Sequence, residues 1–189
     1  MSYYHDDSTV ATNPGGVSLC KYKLSKFKDD LSFFKRFFLS LQYPFSMLNE
    51  HLKLGDSRAA VILETKNRLV VSAYTDELDC VALLTFPLRF VSERGLKVGD
   101  RLLTINTYTT GFIVADDLEC GTDSYNRYNN FYPLIADFLS DDYQIIKRRK
   151  LSISEHEWGK AFDMGKAKLG SKSATLRDGS PYASGILMI

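Results

Sequence analysis

The sequence predicts an α+β fold: an antiparallel β-meander that closes into a small barrel or sandwich, flanked by amphipathic helices, with extended N- and C-terminal arms. Three observations predict it. Between residues 59 and 118, five apolar runs rich in Val, Ile, Leu, Thr and aromatics follow one another, each closed by turn-forming residues. On either side of that block lie segments whose apolar residues recur at helical spacing. Both ends of the chain are largely polar and Gly- or Ser-containing, a composition that does not pack by itself.

Residues 1–19 read as a polar arm holding Asn13-Pro14-Gly15-Gly16, which breaks helix and strand alike. Over 26–41, Leu31, Phe34, Phe38 and Leu41 share a helical face, with Lys28, Asp29, Lys35 and Arg36 mostly between them, and Tyr43-Pro44 stops the helix. Ser46 is placed to cap a short helix over 47–54 that Gly55 ends. Strands are expected at 60–63, 69–74, 81–86, 101–108 and 111–115, with breaks at Lys66-Asn67, at 76–79, at 87–100 and at Thr110-Gly111. Short links favour antiparallel neighbours, and 89–94 has room for one helical turn. Residues 121–130 read as a loop.

Phe131, Leu134, Ile135 and Phe138 have the spacing i, i+3, i+4, i+7 and predict a helix over 130–139, with Pro133 in its first turn. Residues 143–153 alternate around Lys147-Arg148-Arg149-Lys150 and read as a sixth strand. Ser154-Glu155-His156-Glu157 is a capping-box pattern opening a helix that carries Trp158, Phe162 and Leu169. From Gly170 the chain turns Ser-, Gly- and Lys-rich and ends in the apolar 185–189. The organisation expected is one α+β domain, 20–169, between an N-terminal arm, 1–19, and a C-terminal arm, 170–189.

Composition excludes more than it points to. Hydrophobic content of 44% and charged content of 25% are those of an ordinary globular chain. A formal net charge of +1 gives no global field toward nucleic acid or an anionic membrane. The outlier is aromatic: 12 Phe and 11 Tyr against a single Trp, which suits a core or an interface. Cys20, Cys80 and Cys120 are widely spaced and odd in number, and His5, His51 and His156 form no ligand pair. Neither a disulfide framework nor a zinc site is expected, and buried inert thiols are. No metal or cofactor is expected. Residues 1–16 lack the features of a secretory signal and no apolar run is long enough to span a membrane, so synthesis in an intracellular reducing compartment is the default.

The string Gly95-Leu96-Lys97-Val98-Gly99-Asp100-Arg101-Leu102-Leu103-Thr104-Ile105-Asn106 resembles the strand-turn of PDZ domains, where a similar run precedes a helix and a last strand. The stretch 107–129 is too long for that family's pattern and no carboxylate-binding loop precedes it. The string therefore reads as turn chemistry, Gly supplying positive φ and Asp capping the turn. Asp116, Asp117, Glu119 and Asp123 follow a strand and could converge on Mg²⁺ or Ca²⁺, although a solvated turn is the commoner outcome. His156-Glu157 lacks the second histidine of a zincin, since position 160 is Lys160. No G-x-S-x-G, P-loop or G-x-G-x-x-G occurs; Cys20 and Cys80 become nucleophiles only if a distant histidine folds beside them.

The leading expectation is a non-enzymatic structural subunit of a larger assembly, most plausibly a virion or phage-tail component. It is expected to be a homo-oligomer or part of a hetero-assembly. Its arms would make the subunit contacts through Tyr3, Tyr4, Ile186, Leu187, Met188 and Ile189. The alternative is a single-stranded nucleic-acid-binding protein with an OB-like barrel. Its phosphate contacts would be Lys21, Lys23, Lys26, Lys28, Lys35, Lys147, Arg148, Arg149 and Lys150, interleaved with Tyr22, Phe27, Phe33 and Phe34 for base stacking. A metal- or thiol-dependent enzyme is the third reading.

Overall fold

A computed structural model of the 189-residue chain describes residues 11–28, 45–111, 113–123, 127–172 and 174–182. In chain order its elements are α1 (Lys21–Lys26), α2 (Phe45–Leu54), β1 (Asp56–Glu64), β2 (Leu69–Thr75), β3 (Cys80–Phe86) and α3 (Arg89–Arg94). They continue with β4 (Arg101–Thr109), β5 (Glu119–Cys120), β6 (Asn130–Ile135), α4 (Ala136–Leu139), α5 (Tyr143–Ser152), α6 (Glu155–Leu169) and β7 (Arg177–Asp178). Six antiparallel strands make one curled sheet, a half-barrel, in the order β5-β3-β2-β1-β4-β6. β7 lies parallel to β3 at Leu84 and Thr85, while β5 pairs with Cys80 and Val81, so the two short strands share one edge.

Four of the five apolar runs are β1 to β4. β1–β2–β3 is a meander joined by the turns at 65–68 and 76–79, and Asp79 closes the second turn at φ 46°, a left-handed conformation that Asp tolerates. β4 then passes back to pair with the far edge of β1, Leu102 opposite Ala60. The link contains α3, ended by Gly95 at φ 63°, and the turn at Gly99, φ 89°, where Asp100 Oδ2 accepts from the Lys97 N–H at 2.8 Å. The fifth run, 111–115, is not a strand. Its described residues form a loop, in which Ala115 N–H donates to Asn129 O at 2.9 Å, and the next strand is β5.

Two elements differ in type from the sequence-based expectation. Residues 130–139 are β6 followed by the single turn α4, not one helix. The pairing of Phe131 with Tyr108 and Leu134 with Ile105 prevails over helical spacing, and Pro133, which has no N–H to offer, sits on an outer strand as the ladder requires. The expected sixth strand over 143–153 is instead the helix α5, which ends at Ser152: only Ile146 is fully buried, and the Lys-Arg-Arg-Lys run consists of good helix formers. The expected helix over 26–41 lies mostly outside the described residues; α1 starts earlier, at Lys21, and ends at Lys26. α2 begins one residue before Ser46, and α6 is capped as expected, with Ser154 Oγ accepting from Glu157 N–H at 3.2 Å.

One face of the sheet presents Ala60, Ile62, Val71, Ala82 and Leu84 to the larger core. Phe27, Phe86, Phe90 and Phe138 close that core edge to face, with ring centroids 4.9–6.4 Å apart. On the opposite face α6 lies across β1, β2 and β3, and Trp158 and Ala161 pack on Ala59, Val61, Tyr74 and Val81. Residues 11–19 run along α2, with Gly15 and Gly16 N–H donating to Gly55 O and Lys53 O, and bury Val17 and Leu19. At the other end Tyr182 is buried in the same core.

Arg177 on β7 joins the two ends of the curl. Its guanidinium binds both carboxylate oxygens of Asp117 (2.5 and 2.7 Å), the Phe131 carbonyl of β6 (2.8 Å) and Asn130 Oδ1 (2.8 Å). β7 is thus held to β3 by its backbone and to β6 by a side chain.

Candidate functional site

α5 is a basic helix packed against β4, α4 and β1. Tyr143, Ile146, Lys147, Lys150 and Leu151 form a stripe along it and, with Arg101, Asp137 and Trp158, line a groove of about 330 Å³. Ile146 and Trp158 are its buried floor, whereas Tyr143 is 62% and Leu151 78% exposed at its rim. Three of its polar side chains are tied to the fold. Lys150 donates to Asp137 Oδ1 at 2.5 Å and to Arg101 O at 2.7 Å; Arg101 makes a forked pair with Glu155 (2.7 and 2.5 Å) and lies 5.0 Å from the Trp158 ring centroid.

The fold brings the two basic segments of the sequence together, because α1 packs on α4 and Lys23 lies over the Tyr143 ring at 4.6 Å. It uses their charges unequally. Lys23 is buried and caps α4, donating to the carbonyls of Asp137 and Ser140, and it pairs with Asp141 at 3.1 Å. Lys21, Lys26 and Lys28 lie over the rings of Phe45, Tyr22 and Tyr182. Arg149 is half-buried and points its Nε inward. Lys147 and Arg148 are exposed and form no ion pair among the described residues. Lys35, Tyr3, Tyr4, Ile186, Leu187, Met188 and Ile189 lie outside the described residues.

A second groove, along α6, has the other sign. His156, Gly159, Lys160, Asp163, Met164 and Ala167 form one stripe of that helix and, with Asp79 and residues 119–123, line this groove of about 520 Å³. Lys160 bridges Asp79 Oδ1 (2.8 Å) and Asp123 Oδ2 (2.9 Å). Burial opposes ionisation of Asp79, but its bonds from Lys160, the Tyr74 hydroxyl (2.8 Å) and the Asp123 N–H (3.1 Å) hold its carboxyl below the usual range. The acidic cluster weighed in the sequence is therefore dispersed: Asp117 faces Arg177, Asp123 faces Lys160, and Glu119 lies 3.8 Å from Lys168. Among the described residues no group of His, Cys, Asp or Glu is arranged to hold a metal ion, and no helix is long and apolar enough to cross a membrane.

Cys120, which lines this groove, and Cys80, buried behind it, lie directly opposite on β5 and β3 and form a disulfide. The expectation of buried inert thiols fails for these two. A strand pairing 40 residues apart in sequence brings them together, and no spacing rule encodes it. Cys20 is free, half-buried at the start of α1.

A third polar group lies inside the sheet. Asp56 Oδ2 accepts from Arg58 Nε (2.6 Å) and Tyr108 OH (3.2 Å), and Arg58 reaches on to Asp76 (2.7 Å) and Glu157 (3.7 Å). Glu157 in turn accepts the Ala59 N–H at 2.8 Å. Burial pushes the Asp56 carboxyl up to about 6, against the pull of Arg58, and raises Glu157 as well. The cluster ties β1, β4, the β2–β3 turn and α6 into one body. Arg58, just before an apolar run, carried no sequence signal for this role.

Compared with protein-family models, curated proteins and solved structures, the chain has no match in any of the three.

Proposed function

We propose that the protein is a non-enzymatic subunit of a larger assembly, of the kind from which virions and phage tails are built, and that copies of the chain associate head to tail. One observation carries this reading: two grooves of opposite character are lined by different elements, one along α5 and the other along α6 and β5. The first offers exposed Tyr143 and Leu151 beside Lys147, with Arg148 next to it on the helix and neither cation in an ion pair among the described residues; in the second, Asp79, Glu119, Asp123 and Asp163 outnumber Lys160. With a net charge of +1 neither sign dominates the chain, so like-charge repulsion between copies does not oppose pairing of one groove with the other. Complementary patches at different places on one surface generate rings or open arrays rather than closed two-fold dimers. The terminal residues Tyr3, Tyr4 and 186–189 remain proposed additional contacts.

Sedimentation velocity on three proteins tests the reading. Wild type is expected to form species larger than dimers that dissociate as salt rises. Lys147→Glu/Arg148→Glu and Asp163→Lys are each expected to be monomeric. Mixed together, they should stop at dimers, since each retains the face the other needs. A monomeric wild type across the concentration range, or variants that associate like wild type, would exclude this mode of assembly.

A second reading, binding of single-stranded nucleic acid, is favoured by the meeting of α1 and α5. Binding of an unstructured oligonucleotide should weaken steeply with salt and be lost in Lys147→Glu/Arg148→Glu. Absence of binding at low salt removes it.

A further inference from the structure

We propose that Cys80–Cys120 is a site of thiol–disulfide exchange with a vicinal dithiol, and that reducing it unpins β5 from the edge of β3. Three observations support this. The two sulfurs differ in access: Cys80 is fully buried, whereas Cys120 is exposed and lines the groove of about 520 Å³, so an incoming thiolate has an open path to one side of the bond. The buried sulfur has an acceptor waiting, since Cys80 Sγ lies 3.1 Å from the Leu78 carbonyl, a hydrogen bond that a thiol can donate and a disulfide cannot. β5 is two residues long and meets β3 at only two register positions, Cys80 with Cys120 and Val81 with Glu119. The remaining ties of this segment are mainly to the β2–β3 turn and α6: Gly121 N–H to Asp79 O at 2.6 Å, and the Lys160 and Lys168 ion pairs.

The exchange balances without any further reactant. One thiolate of the dithiol attacks the Cys120 sulfur, the Cys80–Cys120 bond breaks, and Cys80 leaves as a thiolate that takes a proton and donates to Leu78 O. The second thiolate of the dithiol attacks the mixed disulfide, closes the reagent's own disulfide and releases Cys120, which is protonated from solvent. Two electrons pass from the dithiol to the protein, and two protons end on Cys80 and Cys120. β3 then loses its partner at Cys80 and Val81 while β7 still covers Leu84 and Thr85. Such a bond forms when the chain meets an oxidising medium and opens in a reducing one. Exchange here requires nothing of the assembly proposed above.

The test uses the full oxidised chain, with Cys20 first blocked by N-ethylmaleimide. Dithiothreitol is added without denaturant, new thiols are counted by mass after labelling, and Trp158 fluorescence reports the global fold. Two new thiols are expected while the fluorescence stays native, together with amide exchange at residues 119–121 that is faster by about tenfold or more, as for a locally released segment. Thiols that appear only at the rate of global unfolding would overturn the exchange site. Labelled protein that keeps its protection at 119–121 would overturn the unpinning. Cys120→Ser, which leaves Cys80 as a thiol, is expected to show the same loss of protection, and retained protection there counts against the unpinning too.

Discussion

Two buried titratable side chains oppose each other as pH falls. His51 on α2 donates from Nε2 to Ile105 O at 2.8 Å, and burial lowers it from 6.5 to about 4 despite backbone hydrogen bonds to Ile105 and Tyr132. Its neutral form is favoured by folding, so its contribution is present above about pH 6.5 and is lost as pH falls toward 4. Asp56 is raised from 3.8 to about 6, so its contribution is present below 3.8 and is lost as pH rises through 6. Across pH 4–6.5 the two slopes have opposite sign and similar size, roughly 3 kcal/mol each. Wild-type stability should therefore vary less with pH in this window than either group alone would make it vary. Asp56→Asn should lose roughly 2–3 kcal/mol on going from pH 6.5 to 4, and His51→Gln should gain a similar amount over the same interval. Urea denaturation at several pH values checks this, and a flat profile in Asp56→Asn would rule out the pairing of effects.

At the scale of elements, α6 lies close on the sheet because of one glycine. A Cβ at Gly165 would stand 2.3 Å from Ser72 Oγ and 2.4 Å from Ser72 Cβ on β2, whereas one at Gly159, two turns earlier, would meet nothing within 4 Å. Gly165→Ala is expected to destabilise by roughly 1–3 kcal/mol through overpacking. Gly159→Ala should stabilise by about 0.5–1 kcal/mol, because an open helical glycine carries only its backbone entropy. The Trp158 emission should report both, since its buried ring sits on the same helix. Equal effects at the two glycines would mean that α6 is not seated through Gly165.

For the molecule as a whole, the two edges of the half-barrel meet at Arg177. Its fork binds Asp117 and reaches β6 at Phe131 O and Asn130 Oδ1, while its own strand pairs with β3. Arg177→Lys keeps the charge and loses the planar fork, so it should cost roughly 1–3 kcal/mol in denaturant unfolding. The same variant should raise amide exchange along β6 and β7 together, because one guanidinium holds both. Faster exchange in β7 alone would show that the curl is closed by the core and not by this contact.

Elements with local signals are legible in the residues alone. Four strands follow from β-rich runs bounded by turn residues, the start of α6 from its capping box, and the turn at Gly99 from a glycine that needs positive φ. The α+β class follows from these together. Where local signals conflict, partners decided. Phe131, Leu134, Ile135 and Phe138 have helical spacing, yet β4 offered a ladder that buries the first three. Residues 143–153 alternate like a strand, yet among the described residues no sheet edge receives them, and a helix over 143–152 buries Ile146 while leaving the basic residues near the surface. The candidate site was half legible: the basic tetrad and the α1 lysines were named from sequence, but which charges stay uncommitted depends on Asp137, Asp141 and Glu155, brought close only by folding. The disulfide, the Asp56–Arg58–Asp76 cluster and the Arg177 clasp join residues tens of positions apart or on separate elements, and only the curl of the sheet sets those distances.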